Sequence, residues 1–76
     1  MPRLPRITAR QLLRALKRAG WYEHRQTGSH LVLKHPDKPG ARVVVAMHAR
    51  EIILVKTLAS ILEQAGLTAD ELRELL

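Results

Sequence analysis

Four histidines, His24, His30, His35 and His48, are the side chains of this sequence best suited to proton chemistry near neutral pH, because imidazole is the side chain whose ordinary titration falls there. None forms an i, i+4 helical pair, and the chain has no cysteine to complete a Cys-His spacing. A zinc site on the familiar spacings is therefore not expected. The same lack of cysteine removes disulfides and a thiolate nucleophile. Ser29 and Ser60 lie outside any nucleophile-elbow pattern, and the glycines are isolated rather than gathered in a phosphate loop. Only Glu23 and Asp37 precede Glu51, so the paired carboxylates of a glycosidase or a two-metal nuclease are missing from most of the chain.

His30 stands apart from the other three. It follows the turn residues Thr27-Gly28-Ser29 and opens the strand-like run His30-Leu31-Val32-Leu33-Lys34, with Arg25 and Lys34 close in sequence. An accessible imidazole among cations suits a substrate that brings its own nucleophile. RNA does so through its 2′-hydroxyl, leaving the protein to move a proton and to hold the phosphate. By position alone, His30 fits better as a partly buried strand residue satisfied by backbone partners.

The charge balance bears on the partner. Thirteen Lys and Arg oppose seven Asp and Glu, a net charge of +6, which favours polyanions because each neutralised phosphate releases condensed counterions. The acids cluster late, at Glu63, Asp70, Glu71 and Glu74, so the first two-thirds is the basic part. Such a surface also fits an acidic protein. No stretch approaches the ~18 apolar residues of a membrane span, and Met1-Pro2-Arg3-Leu4-Pro5-Arg6 lacks the apolar run of a signal peptide. With no cysteine to oxidise, a reducing cytoplasm is the expected location.

The elements that must position His30 are legible from local signals. Thr8 and Gln11 form a capping box before a helix whose apolar stripe is Leu12, Leu16 and Ala19, with Arg10, Arg14, Lys17 and Arg18 mostly away from it. Gly20 ends that helix, and Trp21 is expected to fold back on its end. A strand from Trp21 to Gln26 and one from His30 to Lys34 make a hairpin. Pro36-Asp37-Lys38-Pro39-Gly40 turns the chain into a third strand, Arg42 to Met47, sending Val43, Val45 and Met47 to the core and Arg42 to water. Leu54, Leu58, Ile61, Leu62 and Ala65 then mark a helix from about Ile53 to Ala65, stopped by Gly66. A second capping box at Thr68 and Glu71 starts a short helix running towards Leu76. The expected fold is α+β, one domain over 1–76, with a three-stranded antiparallel sheet, two helices packed on one face and a short C-terminal helix. Its α-β-β-β-α order resembles that of double-stranded RNA-binding domains.

Thr27-Gly28-Ser29-His30, followed after a strand by Lys34-His35-Pro36-Asp37, resembles the HicA toxins. So do Ala19-Gly20-Trp21 at the end of the first helix, Val45-Ala46-Met47-His48 at the end of the third strand, and the helix Thr57 to Gly66 with Leu67. The resemblance spans about Ile7 to Thr68. It implies a toxin of a type II toxin–antitoxin system that cleaves messenger RNA without a metal or small-molecule cofactor. It also implies catalysis by His30 as general acid or base and silencing by a HicB-type antitoxin. Arg10, Arg14, Lys17, Arg25, Ser29 and Lys34 are the expected RNA contacts, presented together by the sheet and the first helix. The chain departs from the family at Arg50-Glu51-Ile52-Ile53-Leu54-Val55-Lys56, where Lys56 replaces a usual glycine after a loop that is normally polar. An earlier helix start and an exposed apolar surface for a partner, anchored on Ile52 and Ile53, are expected there. The rival readings are a non-catalytic RNA-binding module, which the shortage of lysine at the start of the second helix disfavours, and a module whose basic face binds an acidic protein.

Overall fold

The computed structural model describes residues 3–48 and 50–76; Met1, Pro2 and Ala49 of the span expected to form one domain lie outside the described residues. The first helix, α1 (Ala9–Arg18), begins as its sequence requires. The Thr8 hydroxyl accepts from the Gln11 N–H at 3.2 Å, while the Gln11 side chain accepts from the Thr8 N–H at 2.9 Å, so two donors that the first turn leaves unpaired are satisfied reciprocally. It ends where Gly20 takes φ 101°, which lets the Trp21 N–H reach back to the Leu16 carbonyl and the Gly20 N–H to that of Lys17, both at 3.0 Å. Trp21 is thereby turned into the core.

Three strands follow, β1 (Tyr22–Thr27), β2 (His30–Lys34) and β3 (Arg42–Ala46), antiparallel and in spatial order β1-β2-β3. β1 starts at Tyr22 rather than the expected Trp21, because Trp21 is committed to closing α1. Gly28, with φ 58°, stands first in the two-residue β1–β2 turn, the place where a type II′ turn needs a glycine. Alternation then sorts the side chains: Leu31, Leu33, Val43 and Val45 face the helices and are buried, whereas His30, Val32, Lys34, Arg42, Val44 and Ala46 face away. All six β1 residues are exposed.

The second helix, α2 (Val55–Ala65), starts two residues later than the periodicity suggested. Ile52 and Ile53 are occupied elsewhere, Ile52 bridging Thr8 and the Ile53 N–H bonding the Ile7 carbonyl at 2.9 Å. Leu54 is extended and lends α2 no side-chain cap. α3 (Ala69–Leu75) opens with the second capping box, Thr68 with Glu71. Ala9, Leu12, Ala15 and Leu16 of α1, Leu58, Ile61, Leu62 and Ala65 of α2, and Leu72 of α3 close on the inner sheet face with Ile7 and Trp21. Each buried Leu, Ile or Val contributes roughly 1.5–3 kcal/mol through removal from water. Met47 lies past the end of β3 and packs at the edge of this cluster, as its place in the alternation required.

The β2–β3 turn ties both long helices to the sheet. His35 Nδ1 accepts from the Asp37 N–H at 3.1 Å, which leaves Nε2 to donate to the Ala19 carbonyl at 2.9 Å, and the ring stands edge-on to Trp21 at 5.3 Å. Lys38 donates to the Ala65 carbonyl at 3.0 Å, its ammonium 5.7 Å from the centre of the Trp21 ring. Carbonyls left over at both helix ends thus receive donors from one turn.

Candidate active site

His30 sits where the β1–β2 turn delivers the chain into the sheet, and cross-strand pairing fixes what surrounds it. On the face away from the helices the register gives three rows. The first is Thr27, His30 and Ala46, the second Arg25, Val32 and Val44, and the third Tyr22, Lys34 and Arg42. Directly paired residues point to the same side of a sheet, so His30 shares an open face with Arg25, Lys34 and Arg42. Arg25 is the nearest of these cations in the register, lying diagonal to His30 across the β1–β2 pairing, a placement within reach of a long side chain. The His30 side chain is exposed, and among the described residues no hydrogen bond occupies its ring. Ser29 beside it is half-buried, its carbonyl accepting from the Met47 N–H at 2.6 Å, which locks the turn against the end of β3.

A depression of about 220 Å³ opens on the same face, lined by His24, Arg25, Val32, Lys34, Gly40 and Arg42. Arg42 and Tyr22 were not singled out from the sequence. The hairpin gives a signal for Arg42, since residues flanking a turn pair with one another and Lys34 and Arg42 flank this one. No comparable signal exists for Tyr22. A β-bulge between Glu23 and Arg25 changes the alternation, so that Tyr22 and Arg25 share a face that a regular strand would deny them.

The expected RNA contacts divide into two groups. Arg25, Ser29 and Lys34 lie on the His30 face or at its turn. Arg10, Arg14 and Lys17 belong to α1, which packs on the other side of the sheet, so sheet and helix do not form the single groove expected of them. Lys17 is further engaged by an ion pair with Glu23, and Arg14 lines a crevice with Arg18 and the chain end at Leu75 and Leu76. His35, in the clasp already described, faces the helix layer beyond the far end of β2 and is not a neighbour of His30. His48 lies at the near end, where it lines a cavity of about 180 Å³ with Ala46, Glu51, Ile52, Leu54 and Thr57. Among the described residues, no three His, Asp or Glu side chains gather as metal ligands.

The apolar loop is exposed, though not as the expected pair. Ile53 is half-buried and packs on the core, whereas Ile52, Leu54 and Val55 are 44%, 75% and 63% exposed. Among the described residues no helix is long and apolar enough to cross a membrane.

No curated protein matches the chain. A family model does: residues 9–67 match the HicA toxin of bacterial toxin–antitoxin systems, a span that takes in α1, the whole sheet, the β2–β3 clasp and α2. With the Gly-Ser-His turn, the clasp histidine and the α-β-β-β-α order all inside that match, this chain belongs to the HicA toxin family.

Proposed function

We propose that the chain is a ribonuclease that cleaves messenger RNA, with His30 moving the proton. The observation that carries this reading is the His30 ring, exposed on an open sheet face with Arg25 diagonal to it, and free of any protein hydrogen bond among the described residues. A strand histidine kept for structure would be engaged as His35 is. In the reaction the 2′-oxygen bonds to phosphorus, the P–O5′ bond breaks, and one proton passes from the 2′-hydroxyl side to the departing 5′-oxygen. The products are a cyclic phosphate and a 5′-hydroxyl. His30 carries the proton at one end of this exchange, and Arg25 stabilises the charge gathering on the phosphate. Ser29 and Lys34 flank the strand on either side, while Arg10, Arg14 and Lys17 add attraction at longer range from the helix layer. The test is incubation of the purified chain with RNA. Cleavage is expected to persist in excess chelator, since the residues around His30 supply no carboxylate cluster for an ion. A requirement for added magnesium would overturn the metal-independent form of the mechanism.

The partner proposed is a HicB-type antitoxin with an acidic docking surface. Leu54 and Val55 project at the start of α2, a helix with neither a side-chain cap nor an acid in its first turn, and with Lys56 adding positive charge there. Apolar anchors beside an uncompensated positive helix end suit an acidic partner with apolar side chains. Leu54→Asp with Val55→Asp is expected to weaken antitoxin binding by about 2 kcal/mol or more. The fold should survive, because aspartate suits a first helical turn, and RNA cleavage should remain measurable. Unchanged affinity in a calorimetric titration would remove this surface from the interface.

A further inference from the structure

Building on the ribonuclease reading, we propose a second RNA subsite at the end of the open sheet face remote from His30. Lys34 and Arg42 hold a phosphate there, and the Tyr22 ring stacks a base more than one nucleotide away from the bond cut at His30.

The first observation is a local conflict. Lys34 and Arg42 are directly opposite each other on β2 and β3, and like charges so placed destabilise a sheet. Among the described residues neither is joined to a carboxylate: the ion pairs are Lys17 with Glu23 and Arg73 with Asp70. A phosphate between the two cations relieves the repulsion, and breaches of local rules of this kind gather at functional sites. The second is shape. The depression below these cations has Val32 for part of its floor and Gly40 on its rim, where an added Cβ would meet nothing within 4 Å, so the mouth is open to a chain passing across it.

The third observation is Tyr22. It is paired with Lys34 in the same row and is 47% exposed. It shares the row's face with Arg25 only because of the bulge at His24, and bulges of this kind re-aim side chains beside active sites. Tyr22 therefore presents an aromatic surface next to two phosphate-binding cations, the pairing used to hold single strands without reading their sequence. From His30 to Lys34 is four residues along β2, about 13 Å at ~3.3 Å per residue. Arg25 lies between them, so one strand of RNA meets His30, Arg25 and the Lys34–Arg42 pair in turn. This continuity, with an aromatic ring at its end, favours RNA over an acidic protein as the occupant.

The test uses the His30→Ala chain and fluorescence anisotropy, with a labelled single-stranded RNA of about eight nucleotides and with a dinucleotide. The longer strand is expected to bind better, and Tyr22→Ala should shrink that advantage about tenfold while Tyr22→Phe keeps it. Lys34→Gln with Arg42→Gln should lower affinity for the longer strand about tenfold and reduce the salt slope by about 0.7 for each phosphate no longer neutralised. Arg42→Gln alone should raise Tm by about 1–4 °C as the repulsion disappears. The proposal is overturned if the longer strand binds these variants as tightly as the parent, or if they lose affinity only for the antitoxin, which would make the occupant an acidic protein. Cleavage assays on chains retaining His30 judge the ribonuclease reading separately, so failure of one is not mistaken for failure of the other.

Discussion

Substituting His30 by alanine is expected to lower the rate of RNA cleavage by about 10² to 10⁴ or more and to end growth inhibition, with little change in Tm. The rate falls because none of the strand residues paired with or diagonal to His30 across the sheet is an imidazole or carboxylate that could take over the proton. Thr27 and Ala46 are its cross-strand neighbours, Arg25 is the diagonal one on β1, and His35 is bound to Ala19 and Asp37 at the other end of β2. Stability is spared because the side chain is exposed and makes no hydrogen bond among the described residues. Surface changes of that kind stay within about 0.5 kcal/mol, about 2–4 °C in a domain of this size. Cleavage assays and thermal melts on the same preparation separate the two outcomes. A variant that still cuts RNA would dismiss His30 as the proton carrier, and one that unfolds would return it to a structural role.

The largest effect on stability is expected at Gly20, where alanine should cost about 2–4 kcal/mol. Two causes add. Gly20 has φ 101°, a conformation that costs a residue with a side chain about 1–3 kcal/mol. A Cβ there would also lie 2.5 Å from His35 Nε2, driving the imidazole off the Ala19 carbonyl and forfeiting a hydrogen bond of about 1 kcal/mol. Because the clasp holds Trp21 as well, the loss is expected to spread to both helix ends. His35→Ala in the Gly20→Ala background tests the route: removing the ring abolishes the clash, so the two changes together should destabilise less than the sum of each alone. Strict additivity in denaturant titrations would show that strain at φ 101° is the whole effect.

Much of the fold was legible because its signals are local. Two capping boxes, two helix-ending glycines and the period-two runs of β2 and β3 each depend on residues a few positions apart, and each appears where the sequence placed it. The helix that begins at Val55 rather than Ile53 shows the limit of such reading. Apolar spacing cannot tell a first helical turn from a short extended segment, and the matter was decided by the Ile7 carbonyl, more than forty residues away, taking the Ile53 N–H. The same long-range bond hides Ile53 and leaves Leu54 and Val55 as the exposed pair.

The candidate site divides in the same way. By itself the sequence determined the Gly-Ser-His turn that delivers His30 to a strand end, the cations on that strand and its neighbour, and the family to which they belong, since turn chemistry and strand periodicity are properties of short segments. Tertiary structure alone decided that Arg10, Arg14 and Lys17 stand on the helix layer, apart from the His30 face, because a helix covering one side of a sheet cannot offer its outer surface to the other. It also decided that Tyr22, Arg25, Lys34 and Arg42 share a face with His30. That arrangement rests on a register between strands and on one bulge at His24, and neither follows from spacing along the chain, because both are set by how three strands settle against each other over a common core.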